Sequence, residues 1–201
     1  VTGAKLGSIV EPIEILPFHV ERYVDVYEEA VDDAGKKKWK FKEALPLNEN
    51  PASPEYNAAL PWEDVVGGKN IKRVNRMTYY VMLPAEIATN SAMPYTLSFR
   101  STSYREGRKM FTQMYARNLK ASLPPPAFLF KLAGIKAKNE AGQTYIIPTV
   151  ELGRRSTQEE IAECLSWYKT IKGKNPGVTV TVDNSDMEEE SSQETSSTGD
   201  Y

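Results

Sequence analysis

Two residue types that often carry out enzyme chemistry occur only once each in this sequence, as His19 and Cys164. Hydrolytic triads need a histidine base, and zinc sites need clustered histidine and cysteine ligands, so both kinds of site are unsupported. Cys164 falls among apolar positions of a helical pattern, which is typical of a buried, inert thiol. The run Gly67-Gly68-Lys69 lacks the upstream glycine and the following Ser or Thr of a phosphate-binding loop. We therefore predict no cofactor and no enzyme active site.

A two-metal nuclease would need several converging carboxylates, and the first third of the chain contains enough of them. They are Glu21, Asp25, Asp32, Asp33, Glu63 and Asp64. Glu21 and Asp25 share a predicted strand face with Tyr23 and Tyr27, and Asp32-Asp33-Ala34-Gly35 is typical of a turn. We predict no metal site. A metal-dependent nuclease or accessory subunit stays as an alternative, with Asp25, Asp32 and Asp64 as the residues to mutate.

The charged residues are segregated along the chain, although the net charge is only -2. Residues 1–64 carry 7 bases and 13 acids, whereas residues 65–138 carry 13 bases and only two acids, Glu86 and Glu106. Residues 139–182 balance at 5 and 5, and residues 183–201 carry 7 acids and no base. Solvated helix faces normally mix the two signs, so the basic middle indicates binding to a polyanion such as a nucleic acid.

The basic middle also contains aromatic residues, and non-specific single-strand sites combine a basic groove with aromatic rings that stack on bases. Alternation assigns Phe99, Phe111 and one of Phe128 or Phe130 to a core. Tyr80 is instead predicted to be an exposed stacking residue, as is whichever of Tyr104 or Tyr115 lies off the buried stripe. The predicted nucleic-acid-binding residues are Arg73, Arg76, Tyr80, Arg100, Arg105, Arg108, Lys109, Arg117, Lys120, Lys131, Lys136 and Lys138.

Alternating apolar and polar residues predict strands over 20–27, around Trp39 and Phe41, over 77–83 and over 95–102. Prolines and asparagines over 45–68 predict a long loop. A helix is predicted over 103–120, with Ser103-x-x-Glu106 as a capping box, and Pro124-Pro125-Pro126 ends it. Residues 128–138 and 144–152 are predicted to form a hairpin, in which Pro148 indicates an edge or bulged strand.

A second helix is predicted after Ser156 and Thr157, each followed three residues later by a glutamate. Its apolar stripe is predicted to contain Ile161, Cys164, Leu165, Tyr168 and Ile171, with Gly173 at its end, and residues 178–182 are predicted to add a last strand. The element order predicts a β-rich α+β fold. It matches an OB-like, partly open barrel with one helix between strands and a C-terminal helix.

Residues 1–182 are predicted to form a single globular domain, and the polar, acidic residues 183–201 a disordered tail. The basic body and acidic tail resemble those of single-stranded DNA-binding proteins of bacteria and bacteriophages. The tail resembles theirs in charge and in its closing Asp200-Tyr201, although Ser and Thr dilute its acids and Tyr201 replaces the usual terminal phenylalanine. The resemblance implies an OB-fold that binds the strand, and a tail that recruits replication and recombination proteins and competes with DNA for the basic groove. Asp200 and Tyr201 would then contact the partner.

We therefore expect a non-enzymatic, non-sequence-specific single-stranded DNA-binding protein acting in replication or recombination. We expect a cytoplasmic location, in the host cell if the protein is viral, because the sequence has no signal-peptide pattern and no membrane-length apolar run. A viral structural or assembly protein is the other alternative. It would use its aromatic surface for protein contacts and show no salt-dependent affinity for DNA.

Overall fold

The structure of the protein is a computed structural model that describes residues 11–31, 33, 35–121, 123–138 and 144–174. Within these ranges, only the backbone is described for residues 116–121, 137–138, 144–145 and 173–174. Half of the described residues lie in strands. The elements are β1 (Ile13–Val31), β2 (Lys37–Pro46), β3 (Glu63–Val66), β4 (Lys69–Met82), α1 (Pro84–Ile87), β5 (Tyr95–Arg100), α2 (Tyr104–Ala121), β6 (Phe128–Lys138), β7 (Thr144–Arg155) and α3 (Gln158–Lys174). Short 3-10 turns occupy Ser101–Ser103 and Pro125–Ala127.

The strands form one open antiparallel sheet in the order β3-β4-β1-β6-β7, with β2 paired to β1 and β5 paired to β4. The predicted β-rich α+β class is confirmed at this level. Pro148 lies on β7, which is an edge strand, as its missing backbone N–H donor requires. In the part of the chain that the structure describes, no helix is long and apolar enough to cross a membrane.

The described residues cluster into two compact units, to which β1 and β4 both contribute. Residues 22–76 form the hairpin unit, and residues 11–21 with 77–174 form the helical unit. The prediction of a single domain over 1–182 stays a prediction. The predicted tail over 183–201 and the predicted strand over 178–182 lie outside the described residues.

The hairpin unit consists of strands and connecting loops. Tyr27 and Val74 form its small core, against which Trp39 and Phe41 pack. The predicted loop over 45–68 is wrong at both ends, because β2 continues to Pro46 and β3 occupies Glu63–Val66. Gly67 and Gly68, with φ of 60° and 80°, form the tight turn from β3 into β4, so these two glycines belong to a hairpin.

The helical unit has helices packed on both faces of its strands. On one face, Met110 and Met114 of α2 join a buried cluster with Ile15, Tyr79 and Phe130. On the other face, the sulfur of Cys164 on α3 lies 3.6 Å from the sulfur of Met82. Residues 77–82 are buried throughout, because neither face of this part of β4 is left to solvent.

The two predicted helices both form, and their caps differ in outcome. At α3 the Thr157 and Glu160 capping box is confirmed, since the Thr157 backbone N donates to Glu160 Oε2 at 2.7 Å and the Glu160 backbone N donates to Thr157 Oγ1 at 3.2 Å. Leu165 and Tyr168, predicted to join the buried stripe, are 37% and 36% exposed. Helix α3 also continues past Gly173 to Lys174.

Candidate nucleic-acid interface

Three exposed basic side chains lie on one side of the first two turns of α2. Arg105, Arg108 and Lys109 have the i, i+3 and i, i+4 spacings that bring side chains together on a helix surface. Lys109 Nζ lies 3.5 Å from Glu106 Oε2. Within the described part of the chain, Arg105 and Arg108 make no ion pair and no hydrogen bond through their side chains. This group, the α2 basic face, is the part of the predicted site that the structure brings together.

Close packing fixes the position of α2 against β4 and β5. A Cβ atom at Gly107 would lie 2.7 Å from Phe99 Cβ, so only glycine allows the helix to approach β5 this closely. The Tyr79 hydroxyl donates a hydrogen bond to the Gly107 carbonyl oxygen at 2.8 Å. The Tyr79 and Phe99 rings meet edge to face, with centroids 5.7 Å apart. The α2 basic face is therefore presented by a firmly anchored helix.

The predicted capping box between Ser103 and Glu106 is wrong. Ser103 Oγ instead accepts a hydrogen bond from the Arg100 backbone N at 2.9 Å and donates one to the Arg100 carbonyl oxygen at 2.8 Å. Glu106 Oε2 accepts a hydrogen bond from the backbone N of Val150 on β7 at 3.3 Å. The single acid of this helix segment is thus turned partly toward the sheet.

Arg76 and Arg73 are held in ion pairs of the hairpin unit. Arg76 is 5% exposed, binds the carboxylate of Asp25 and lies over the Tyr23 ring, 4.7 Å from its centroid. This burial contradicts the placement of Arg76 on an open basic surface. Arg73 Nη1 lies 3.5 Å from Asp64 Oδ2 and donates to the carbonyl oxygen of residue 61 at 3.2 Å. Both arginines therefore serve local structure in this unit.

The prediction that Tyr80 is an exposed stacking residue is wrong, because Tyr80 is 7% exposed. Its ring stacks on His19 at 5.5 Å, and His19 meets the Tyr168 ring of α3 edge-on at 5.4 Å. The Tyr80 hydroxyl donates to Glu21 Oε2 at 3.2 Å. Alternation along β4 placed Tyr80 correctly on the face opposite Tyr79, but α3 covers that face. Tyr104 and Tyr115 are both partly buried against the cluster that contains Met110 and Met114.

The remaining predicted basic residues are dispersed. Arg100 is half-buried, and Lys131 is exposed but lies between Glu14 and Glu151 in the strand register, so two acids flank it. Lys136 is exposed opposite Ile146. The side chains of five further predicted residues lie outside the described part of the structure: Arg117, Lys120, Lys138, Asp200 and Tyr201.

Three of the six carboxylates considered for a metal site have structural partners. Asp25 is bound to Arg76, Asp64 is close to Arg73, and Glu21 accepts the Tyr80 hydrogen bond. Asp33 and Glu63 are exposed, and Asp32 lies outside the described residues. Among the residues described, no three or more His, Cys, Asp or Glu side chains are grouped so that they could hold a metal ion.

The predicted buried state of Cys164 is confirmed. Its side chain is fully buried, and burial raises the pKa of the thiol to about 12, with smaller contributions from Glu160 and Glu163. A thiol with this pKa is almost entirely protonated at neutral pH, so it is a poor nucleophile.

A groove beside α3 has the wrong charge for a nucleic acid. It has a volume of about 480 Å³ and is lined by Ile87, Asn90 and residues of the first turns of α3, among them Glu159 and Glu163. These acids would repel phosphates. The groove is therefore suited to a cationic ligand, whereas the α2 basic face is suited to an anionic one.

One cluster in the hairpin unit was missed by sequence analysis. Trp39, Lys72 and Trp62 come from separate segments of the chain, and the ammonium of Lys72 lies near both indole rings. The lone signal in the sequence was that Trp62 stands in a stretch rich in proline, where a large aromatic has few local neighbours. Similarity to other proteins adds no further residue: no protein-family model matches this sequence, and no curated protein matches it.

Proposed function

We propose that this protein binds single-stranded nucleic acid, DNA above all, without sequence specificity, and that the α2 basic face contacts the phosphate backbone. The observation that carries this proposal is the exposed trio Arg105, Arg108 and Lys109 on an anchored helix, with Glu106 as its one acid. Lysine and arginine side chains bound to phosphates release condensed counterions, which supplies most of the affinity in non-specific binding.

Most of the charge on the α2 basic face does not stabilise its own helix, although Lys109 is compensated by Glu106 at i, i+3. A cation in the first turn, here Arg105, opposes the helix dipole, and like charges at i, i+3 and i, i+4 repel each other. Each effect costs a few tenths of a kcal/mol at an exposed site. A bound polyanion reverses both effects, because its phosphates attract the cations and screen them from one another. Binding therefore accounts for charges that folding does not require.

The choice of a single strand follows from the likeness of the basic body and acidic segment to single-stranded DNA-binding proteins. The OB-like arrangement, a role in replication or recombination and the recruitment of partner proteins through Asp200 and Tyr201 belong to this same proposal. The α2 phosphate contacts do not depend on the OB-like arrangement, because they need only exposed cations on a fixed helix.

The proposal is tested by reversing the three charges together, as Arg105→Glu, Arg108→Glu and Lys109→Glu. Affinity is measured for a labelled single strand, the matching duplex and an RNA of the same sequence, each at several salt concentrations. Every phosphate that the protein no longer neutralises lowers the magnitude of the salt slope by about 0.7, so the slope of the triple variant on single strands should be smaller by about 2.

A matched control carries the same change in net charge elsewhere on the helical unit, as Arg155→Glu, Lys169→Glu and Lys172→Glu. These three side chains are also exposed. The control should keep the salt slope of the unaltered protein, apart from a general weakening at low salt. An unchanged slope in a folded α2 variant, or an equal decrease in both variants, would contradict the assignment of the α2 basic face.

A further inference from the structure

The hairpin unit carries a partly exposed cluster of two tryptophans and a lysine. Lys72 Nζ lies 5.0 Å from the ring centroid of Trp62 and 5.8 Å from that of Trp39. Trp39 comes from β2, Lys72 from β4, and Trp62 immediately precedes β3. We call this group the Trp39–Lys72–Trp62 cluster. It combines a cation with two flat aromatic surfaces, and both attract nucleotides.

The two indoles are held in different ways. Trp39 is half-buried because it packs with Phe41 against the small core of Tyr27 and Val74. Trp62 is 48% exposed and is not part of that core. Its ring therefore keeps an accessible surface, whereas Trp39 anchors the cluster to the sheet.

The backbone at Trp62 is nonetheless fixed. Its carbonyl oxygen accepts a hydrogen bond from the Arg73 backbone N at 2.7 Å. The Arg73 side chain bonds to the carbonyl oxygen of Pro61 and lies 3.5 Å from the carboxylate of Asp64, on the other side of Trp62 in the chain. An exposed ring on a fixed backbone loses little conformational freedom on binding, which favours affinity.

Two acids, Glu29 and Glu63, lie opposite members of the cluster in the strand registers. Glu29, opposite Trp39 in the strand register, is compensated by Lys37 Nζ at 3.0 Å and by a hydrogen bond from Asn70. Glu63 lies opposite Lys72 in the register of β3 and β4 and is the acid that a bound phosphate would approach. Neutralising Glu63 should therefore strengthen binding at this cluster.

We propose that the Trp39–Lys72–Trp62 cluster is a base-stacking site for single-stranded nucleic acid. One base stacks on the accessible face of Trp62, and the Lys72 ammonium contacts a neighbouring phosphate. The inference rests on the proposed function for its ligand class, but it uses a different surface and a different interaction from the α2 basic face. Stacking requires unpaired bases, so this cluster discriminates single strands from duplexes.

The experiment compares two probes that share a phosphate backbone, oligo(dT) and an abasic oligomer of equal length. Trp62→Ala should weaken binding of oligo(dT) roughly 5- to 150-fold, which corresponds to about 1–3 kcal/mol per stacked base. The affinity for the abasic oligomer should not change. Trp62→Phe keeps a ring and should restore most of the affinity. Val65→Ala is the matched control, because Val65 is a nearby exposed apolar residue at 64% exposure.

A second measurement follows the ring directly. In a Trp167→Phe background the remaining tryptophans are Trp39 and Trp62, both of the cluster. Oligo(dT) should quench their fluorescence, and the abasic oligomer should not. Glu63→Gln should bind oligo(dT) more tightly.

The outcomes separate this inference from the proposed function. Equal affinity of Trp62→Ala and the unaltered protein for oligo(dT), with no quenching, overturns the stacking site even if reversal of the α2 charges still lowers the salt slope. Weaker oligo(dT) binding by Trp62→Ala with no effect of the α2 reversal supports the stacking site and overturns the α2 assignment. Equal weakening toward both probes would also overturn stacking, because the abasic oligomer has no base to stack.

Discussion

The guanidinium of Arg76 and the carboxylate of Asp25 form a buried, bidentate ion pair. Nε donates hydrogen bonds to Oδ2 at 2.8 Å and Oδ1 at 3.1 Å, and Nη2 donates to Oδ1 at 3.0 Å. The side chains are 6% and 0% exposed. Two charges taken out of water are tolerated here because each satisfies the other. Arg76 is thus a structural residue of the hairpin unit.

Removing one member of this pair should strongly destabilise the protein. Arg76→Ala leaves the Asp25 carboxylate buried without its partner, which typically costs about 3–5 kcal/mol in the free energy of unfolding. The double variant Asp25→Leu with Arg76→Met removes both charges and should be destabilised much less. Denaturant unfolding of the two variants provides the measurement. An equally large destabilisation of both variants would show that packing, rather than the unpaired charge, is responsible.

Local patterns predicted the parts of the fold whose determinants are close in sequence. The α3 cap was predictable because Thr157 and Glu160 satisfy each other's backbone groups across one helical turn. The β6 and β7 hairpin was also predictable from local sequence, because its two strands are consecutive in the chain and each shows the alternation of a strand. The Gly67-Gly68 turn was overlooked because the prolines upstream suggested a loop, although two glycines with positive φ suit a hairpin.

The features that the sequence did not predict depend on residues distant in the chain. Tyr80 follows the alternation of its strand, but α3, which lies far along the chain, determines its burial. The His19 ring lies between Tyr80 and Tyr168 of α3, which is 88 positions after Tyr80 in the sequence. In the sequence, Arg76 is one of many basic residues, and nothing local indicates that it pairs with Asp25 and is buried. The α2 basic face was predictable because helical spacing alone brings Arg105, Arg108 and Lys109 together.

His19 should make the stability of the helical unit sensitive to pH. Burial lowers the pKa of its imidazole below 6.5, Lys172 on α3 lowers it further, and Glu21 on β1 opposes both. Nε2 lies 3.5 Å from Glu21 Oε1, which is too long for a strong hydrogen bond that would hold the proton. The ring is enclosed by Tyr80 on β4 and Tyr168 on α3.

Proton linkage determines the direction in which stability changes with pH. Because the folded-state pKa is below the unfolded value, the unfolded chain binds this proton more readily, and stability falls as pH decreases through 6.5 toward the lowered pKa. Melting temperatures between pH 8 and 5 should therefore decrease less in His19→Phe, which keeps a ring against Tyr80 but cannot titrate. The chain has one histidine, so no other imidazole contributes. An identical pH dependence in both proteins would contradict this role.

The acidic residues 183–201 should compete with nucleic acid for the basic surfaces. They carry seven acids and no base, and they are covalently attached to a body of net charge +5 over residues 1–182, from -6, +11 and 0 over its three charge regions. A tethered polyanion acts at high effective concentration. Truncation before Asp183 should therefore tighten single-strand binding. The gain should be largest near 0.01 M salt, where the Debye length is about 30 Å, and small near 1 M, where it is about 3 Å.

The control keeps the chain length and removes the charge. In it, the seven acids of residues 183–201 are changed to Asn or Gln. If charge is the cause, this variant should bind single strands as tightly as the truncated protein across the same salt range. In the α2 charge-reversal variant, truncation should tighten binding much less, because residues 183–201 then have fewer cations for which to compete with the nucleic acid. Equal or weaker binding by the truncated protein at every salt concentration would show that these acids do not compete for the nucleic-acid site.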